Sequence, residues 1–180
     1  RNGMEDWQQE ASRRLRAMQA VWGSALDDVW AVGLSGTILH YDGTAWAAEE
    51  GIPRAEIFAI AGTAADDIWA VGSNGYIGHY DGAAWTTTPN PTSAALLAVW
   101  PIARDDAWAV GDEGTMLHWD GTTWSNVTPV STTTLYGVWG AAGDDVWAVD
   151  VVEQIPGGAG DGLQGAGGQH GLVHQDLHHL

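Results

Sequence analysis

The 180-residue chain contains no cysteine, which excludes disulfides and thiol catalysis and leaves the redox compartment open. Bases are scarce. Six face 23 acids, every one of the six is arginine, and the formal net charge is −17. Such a surface repels phosphate backbones and anionic lipid, so no nucleic-acid partner is expected. No apolar run approaches the ~20 residues that span a bilayer, which excludes membrane insertion by a helix. The N-terminal stretch has no apolar region of the kind a signal peptide needs. The first residue is Arg1, so a fragment or processed product is expected. A Gly-x-Ser-x-Gly elbow, a phosphate loop and a His-Glu-x-x-His helix are all missing, and no cofactor is expected.

What the chain does have is a repeat. Asp27-Asp28-Val29-Trp30-Ala31-Val32-Gly33 returns as Asp66 to Gly72, as Asp105 to Gly111, and as Asp144 to Val149, where Asp150 stands in place of the glycine. The interval is 39 residues each time, a period that means stacked supersecondary units. Ten of the twelve tryptophans fall at three positions of the unit: Trp22, Trp100 and Trp139; Trp30, Trp69, Trp108 and Trp147; Trp46, Trp85 and Trp124. Residues that recur in phase are most simply packing residues, because every unit buries the same face on its neighbour.

Read in order, residues 1–16 stand outside the repeat. Met4, Trp7, Ala11, Leu15 and Met18 recur at helical spacing and predict a short amphipathic leader. The units follow over 17–150, at about 18–56, 57–95, 96–134 and a partial 135–150. Each full unit reads as four short antiparallel strands joined by tight turns, with Gly33-Leu34-Ser35-Gly36 and Asp42-Gly43 as the clearest turn signals. A four-stranded meander of ~40 residues is the size of a propeller blade. The fold expected is therefore all-β: three full blades and half of a fourth, an incomplete ring. Residues 151–180 are rich in glycine and histidine and are expected to be poorly ordered or foreign to the fold. The abrupt loss of phase near residue 150 is what a change of reading frame would produce.

The motif Val-Trp-Gly, Asp-Asp-Val-Trp-Ala-Val-Gly, Gly-Thr-Ile-Leu-His-Tyr-Asp-Gly, Trp resembles BNR/Asp-box-like and Ycf48-like β-propeller repeats, and is similar to tandem repeats of secreted proteins and lipoproteins of myxobacteria. It covers about residues 18–150. The Asp-box pattern is Ser-x-Asp-x-Gly-x-Thr-Trp; Asp42 to Trp46, Asp81 to Trp85 and Asp120 to Trp124 are one residue shorter and lack the serine. The resemblance implies an extracellular or cell-envelope location and a ring of six to eight blades.

Among candidate sites, the pairs headed by Asp27/Asp28 could offer carboxylates to calcium, which needs six to eight convergent oxygens, or could accept backbone N–H groups in the turn between the first two strands. Repetition of Asp28, Asp67, Asp106 and Asp145 favours the structural role. His40, His79 and His118 also recur in phase. They are the candidates for a transition-metal site if their imidazoles converge; otherwise each bonds within its own blade, to the aspartate or tryptophan that follows. His170, His174 and His178 are spaced as on one helix face, but the glycine density just upstream argues against a stable helix and no designed site is expected there. Asn126-Val127-Thr128 matches a glycosylation sequon.

The function expected is a non-catalytic binding or scaffold module that takes a glycan or protein partner on its blade-connecting loops (Ala47 to Ala55, Thr86 to Ala94, Ser125 to Thr134). A homo-oligomer could complete the ring. The competing expectations are a fragment of a sialidase-like glycoside hydrolase, which requires two carboxylates ~5–10 Å apart, and a truncated product without a function of its own.

Overall fold

The computed structural model describes residues 18–49, 52–128, 132–152 and 169–176. The leader helix expected over 1–16 lies outside them. Among these residues, fifteen strands form four antiparallel sheets. The first contains β1 (Met18–Ala25), β2 (Asp28–Gly33), β3 (Ile38–Tyr41) and β4 (Trp46–Ala48) in that order. The second repeats the meander with β5 (Ile57–Ala64), β6 (Asp67–Gly72), β7 (Ile77–Tyr80) and β8 (Trp85–Thr87). The third has β9 (Leu96–Ala103), β10 (Asp106–Gly111), β11 (Met116–Trp119) and β12 (Trp124–Asn126). In the fourth, β13 (Leu135–Ala142) pairs with β14 (Asp145–Val152).

The apolar run Ile68-Trp69-Ala70-Val71 is continuous because both faces of β6 are buried. Alternate residues serve opposite neighbours. Ile68 and Ala70 join Trp30, Val32 and Ile38 of the first sheet, whereas Trp69 and Val71 join Leu96, Ala107, Ala109 and Leu117 of the third. Large and small residues face each other across the gap, Trp69 against the two alanines of β10, as close packing requires. The third sheet meets the fourth in the same way, through Trp108, Val110 and Met116 against Leu135, Val146 and Ala148. The first strands β1, β5, β9 and β13 lie side by side in chain order, and the short strands β4, β8 and β12 sit at the far edge of each sheet.

The fourth sheet goes beyond the half blade expected. It has a third strand, β15 (Gln169–Asp176), which pairs along the whole of β14. The register sets His174 opposite Trp147, as His40 lies opposite Trp30, His79 opposite Trp69 and His118 opposite Trp108. Leu172-Val173-His174-Gln175-Asp176 also repeats Ile38-Leu39-His40-Tyr41-Asp42 in kind. The third-strand motif therefore returns after a connection longer than in the other blades. His170 and His174 belong to this strand rather than to a helix; His178 lies outside the described residues. Asp150 explains where the pattern diverges. Gly33, Gly72 and Gly111 end their strands and enter a turn, whereas β14 runs two residues past Asp150, whose side chain is buried and accepts a bond from Thr133 Oγ1 at 2.7 Å.

Candidate functional site

The motif aspartates and histidines meet inside each sheet. Asp28 Oδ1 accepts bonds from Trp30 Nε1 at 3.0 Å and from His40 Nε2 at 2.7 Å, while Ser24 Oγ donates to the other carboxylate oxygen. The His40 ring stacks on Trp30 at 4.0 Å between centroids, with the planes 11° apart. In the second sheet His79 Nε2 and Thr63 Oγ1 donate to Asp67, and His79 stacks on Trp69 at 4.1 Å. In the third, Trp108 Nε1 and His118 Nε2 donate to Asp106 Oδ1 at 3.2 and 3.0 Å. Trp147 Nε1 donates to Asp145 Oδ1 at 3.0 Å. Burial pushes the Asp28 carboxyl up, but the bonds from Ser24, His40 and Trp30 and the nearby imidazole outweigh it. The group ends below its ordinary value of 3.8.

Two sequence readings change here. Asp28, Asp67 and Asp106 take side-chain donors from their own sheets rather than backbone amides of the turn. Each histidine bonds the aspartate twelve residues before it, not the one that follows. The three imidazoles thus sit on separate sheets, each against its own carboxylate. Among the described residues no three histidine or acidic side chains converge on a common point.

The following aspartate does something else. Asp42 Oδ1 accepts the backbone amides of Thr44 and Ala45 at 2.8 and 2.9 Å; Asp81 and Asp120 hold the equivalent hairpins. At Gly43, where φ is +85°, a Cβ would come within 2.7 Å of the Asp27 Cβ. Asp27, Asp66 and Asp105 therefore pack against the glycines of the Asp-Gly turns, and both turns lie on one side of the sheets. Trp46, Trp85 and Trp124 follow those turns and stack beside Tyr41, Tyr80 and Trp119.

The opposite side carries the β2–β3 turns and the connections between sheets. Each β2–β3 turn has two consecutive left-handed residues, of which the first is not glycine: Ser35 (φ 58°), Asn74 (φ 55°) and Glu113 (φ 58°). Two positive φ values make the turn that joins tight hairpins, and asparagine followed by glycine suits it best. The glycines that follow are pressed against the next connection; Gly36 N donates to Ala55 O at 2.6 Å, and a Cβ on Gly75 would lie 2.3 Å from Thr92 O. Ser73 N in turn donates to Glu56 O, and Glu56 N to Ser73 Oγ.

Between the first two of these turns lies a cleft of about 430 Å³ lined by Ser35, Arg54, Ala55, Glu56, Ser73 and Asn74. Arg54 is exposed and makes no ion pair among the described residues. The other described base, Arg104, is on the far side, bonded to Asp66 Oδ1 at 2.5 Å. The sequence marked the loop Ala47 to Ala55 as a contact surface but missed Ser35, Ser73 and Asn74. The signal was the varied residue before the fixed glycine of that turn.

Solved structures share this arrangement. Ycf48 bound to a D1 peptide is similar at 14% identity and a TM-score of 0.59, over 74% of this chain and 46% of that one. The chain is a row of β-propeller blades. Ycf48 from Cyanidioschyzon merolae matches at 18% identity and 0.59, over 73% and 47% of the two chains. The WD40 β-propeller domain of Doa1 matches at 13% and 0.61, over 73% and 47%. The propeller blades here span about half the length of those chains. No protein-family model and no curated protein matches the sequence.

Proposed function

We propose that these blades form a non-catalytic scaffold that binds a peptide segment of another protein, in the cleft between the turns of the first two blades. One observation carries the reading. Arg54 makes no ion pair among the described residues, in a cleft whose other lining residues are Ser35, Ala55, Glu56, Ser73 and Asn74, on a protein of net charge −17. A guanidinium so placed recognises a carboxylate, which it can hold through two parallel bonds. Ser35, Ser73 and Asn74 add donors and acceptors for a peptide backbone, and their positions are fixed by the left-handed turns and by the bonds between Ser73 and Glu56. Strained turn residues of this kind cluster at ligand sites. A structure of Ycf48 was solved with a D1 peptide bound, which gives a peptide ligand precedent in the fold.

The hydrolase reading fits the cleft less well. Glycoside hydrolysis needs two carboxylates in reach of one bond, and the cleft is lined by one, Glu56. The titratable groups that recur, Asp28 with His40 and their equivalents, brace the blades. A glycan is the second ligand class, favoured by the half-exposed Trp46, but that ring is on the side of the sheets away from Arg54. The kinship with Asp-box and myxobacterial repeat proteins, and the extracellular or envelope location that goes with it, belongs to this proposal and is supported by the repeat motif alone.

The test is a fluorescence-anisotropy screen of labelled peptides presented with a free or an amidated C-terminus and with or without acidic residues. Carboxylate-bearing peptides should bind, and Arg54→Ala should weaken them about tenfold or more, the loss of a charged hydrogen-bonded partner. Binding that ignores the carboxylate and survives Arg54→Ala contradicts the reading.

A further inference from the structure

Two of the three internal junctions among the described residues, those joining the first three blades, are built from the same aromatic parts. Trp30 of the first blade is met by Tyr80 at 4.7 Å and edge-on by Trp85 at 5.6 Å, both from the second. Trp69 of the second is met by Trp119 at 5.1 Å and edge-on by Trp124 at 5.2 Å, both from the third. So a pair of rings from β3 and β4 of one blade clasps the β2 tryptophan of the blade before it. A second contact joins the inner strands. Trp22 reaches from β1 to the flank of Gly62 on β5, and Trp100 Nε1 on β9 donates to Gly140 O on β13 at 2.9 Å.

The two terminal blades each carry one half of this junction. In the first blade the ring pair is assembled, Tyr41 and Trp46 at 5.4 Å, matching the 5.6 and 5.8 Å of the internal pairs. Yet Trp46 is 44% exposed where Trp124 is 4% exposed. Gly23, the counterpart of Gly62 and Gly140, is exposed too. In the fourth blade Trp139, the counterpart of Trp22 and Trp100, is 49% exposed. Trp147 is half-buried, whereas Trp30, Trp69 and Trp108 are buried. Among the described residues, each end offers the surface that completes the other.

We propose that the first-blade face around Gly23 and Trp46 and the fourth-blade face around Trp139 are the two halves of one further blade junction, closed by a second copy of this chain docked head to tail. In that junction Trp139 of one copy seats on Gly23 of the other and the Tyr41–Trp46 pair of the second clasps the Trp147 position of the first. Two such contacts, related by a two-fold axis along the ring, close a head-to-tail arrangement that would otherwise propagate as an open filament. Length agrees. About three quarters of this chain covers 42–47% of the solved propeller chains it resembles, so two copies supply roughly one such chain. The inference is independent of the peptide cleft, which lies within one copy.

The test is sedimentation equilibrium of the full 180-residue chain across a hundredfold concentration range. Association should stop at twice the 19.0 kDa chain mass. Trp46→Ala and Trp139→Ala, both at half-exposed sites that the fold tolerates, should each weaken association at least tenfold while circular dichroism stays unchanged. Leu26→Ser, at a fully exposed residue of the β1–β2 turn, should leave it unchanged. A single-chain species at every concentration overturns the proposal and assigns the two faces to blades of a longer chain. Open-ended oligomers overturn the closure, and a dimer indifferent to both tryptophan variants overturns the interface.

Discussion

His79 Nε2 lies 2.8 Å from Oδ1 of Asp67, a carboxylate with no exposed surface, while Thr63 bonds the same side chain. A buried charge is tolerated only when its acceptors are filled, and here β5 and β7 both contribute donors to a residue at the start of β6. The pair ties three strands of one blade together and fixes the ring that stacks on Trp69.

Asp67→Ala removes the acceptor shared by His79, whose side chain is partly exposed, and the exposed Thr63. The expected loss is about 1–2 kcal/mol, the net contribution of the two lost hydrogen bonds. Chemical denaturation of the variant beside the parent measures it. A loss no larger than that of Asp27→Ala, whose carboxylate sits on an exposed turn, contradicts the bracing role.

Trp69 is fully buried between the second and third blades. Trp69→Ala should cost about 3–5 kcal/mol, as large aromatic deletions in cores do. Trp46→Ala should cost a small fraction of that within one chain. Thermal melts at a concentration where only single chains are present separate the two.

Glu113 occupies a left-handed position where the second blade has Asn74. Asparagine adopts that conformation far more readily than glutamate. Glu113→Asn should therefore stabilise by about 1 kcal/mol, read as a rise in denaturation midpoint with an unchanged slope. The same change at Ser35 would alter the peptide cleft and is the less clean experiment.

Stability should fall in acid, and one residue gives the clearest view of it. Hydrogen bonds from the Thr122 hydroxyl, the Thr123 amide and the Thr122 amide hold the Asp120 carboxyl down at about 2. Its folded value is below the unfolded one, so the stabilisation is fully present above the ordinary value of 3.8 and is lost as pH falls through about 2. Asp120→Asn should melt below the parent at pH 7 and converge on it near pH 2. A gap of constant size contradicts the assignment.

The strands were legible because Asp-Asp-x-Trp-Ala-Val returns at a fixed interval, and a strand buried on both faces has no polar alternation to obscure it. The third strand of the fourth blade was not legible. Ten residues separate Trp30 from His40, but 27 separate Trp147 from His174, and a search at constant phase cannot cross a longer connection. The aspartate–histidine bonds were half legible. Each histidine is distant from its aspartate in sequence, and only the β2–β3 register brings Trp30 opposite His40 and so sets the imidazole over the Asp28 side chain. Arg54 is one of two bases in the repeats, and nothing in the sequence sets it apart from Arg104. Its companions in the cleft were not legible either, because Ser35, Ser73 and Asn74 are ordinary turn residues until the turns of adjacent blades are placed side by side.

The most direct measurement of the binding role is amide chemical-shift mapping of the labelled chain while a carboxylate-bearing peptide pool is added. Perturbations centred on Ser35, Arg54, Ala55, Glu56, Ser73 and Asn74, absent with the amidated pool and in Arg54→Ala, are the predicted result. Perturbations confined to the Asp-Gly hairpins around Gly43, Gly82 and Gly121, or none with any peptide, would contradict it.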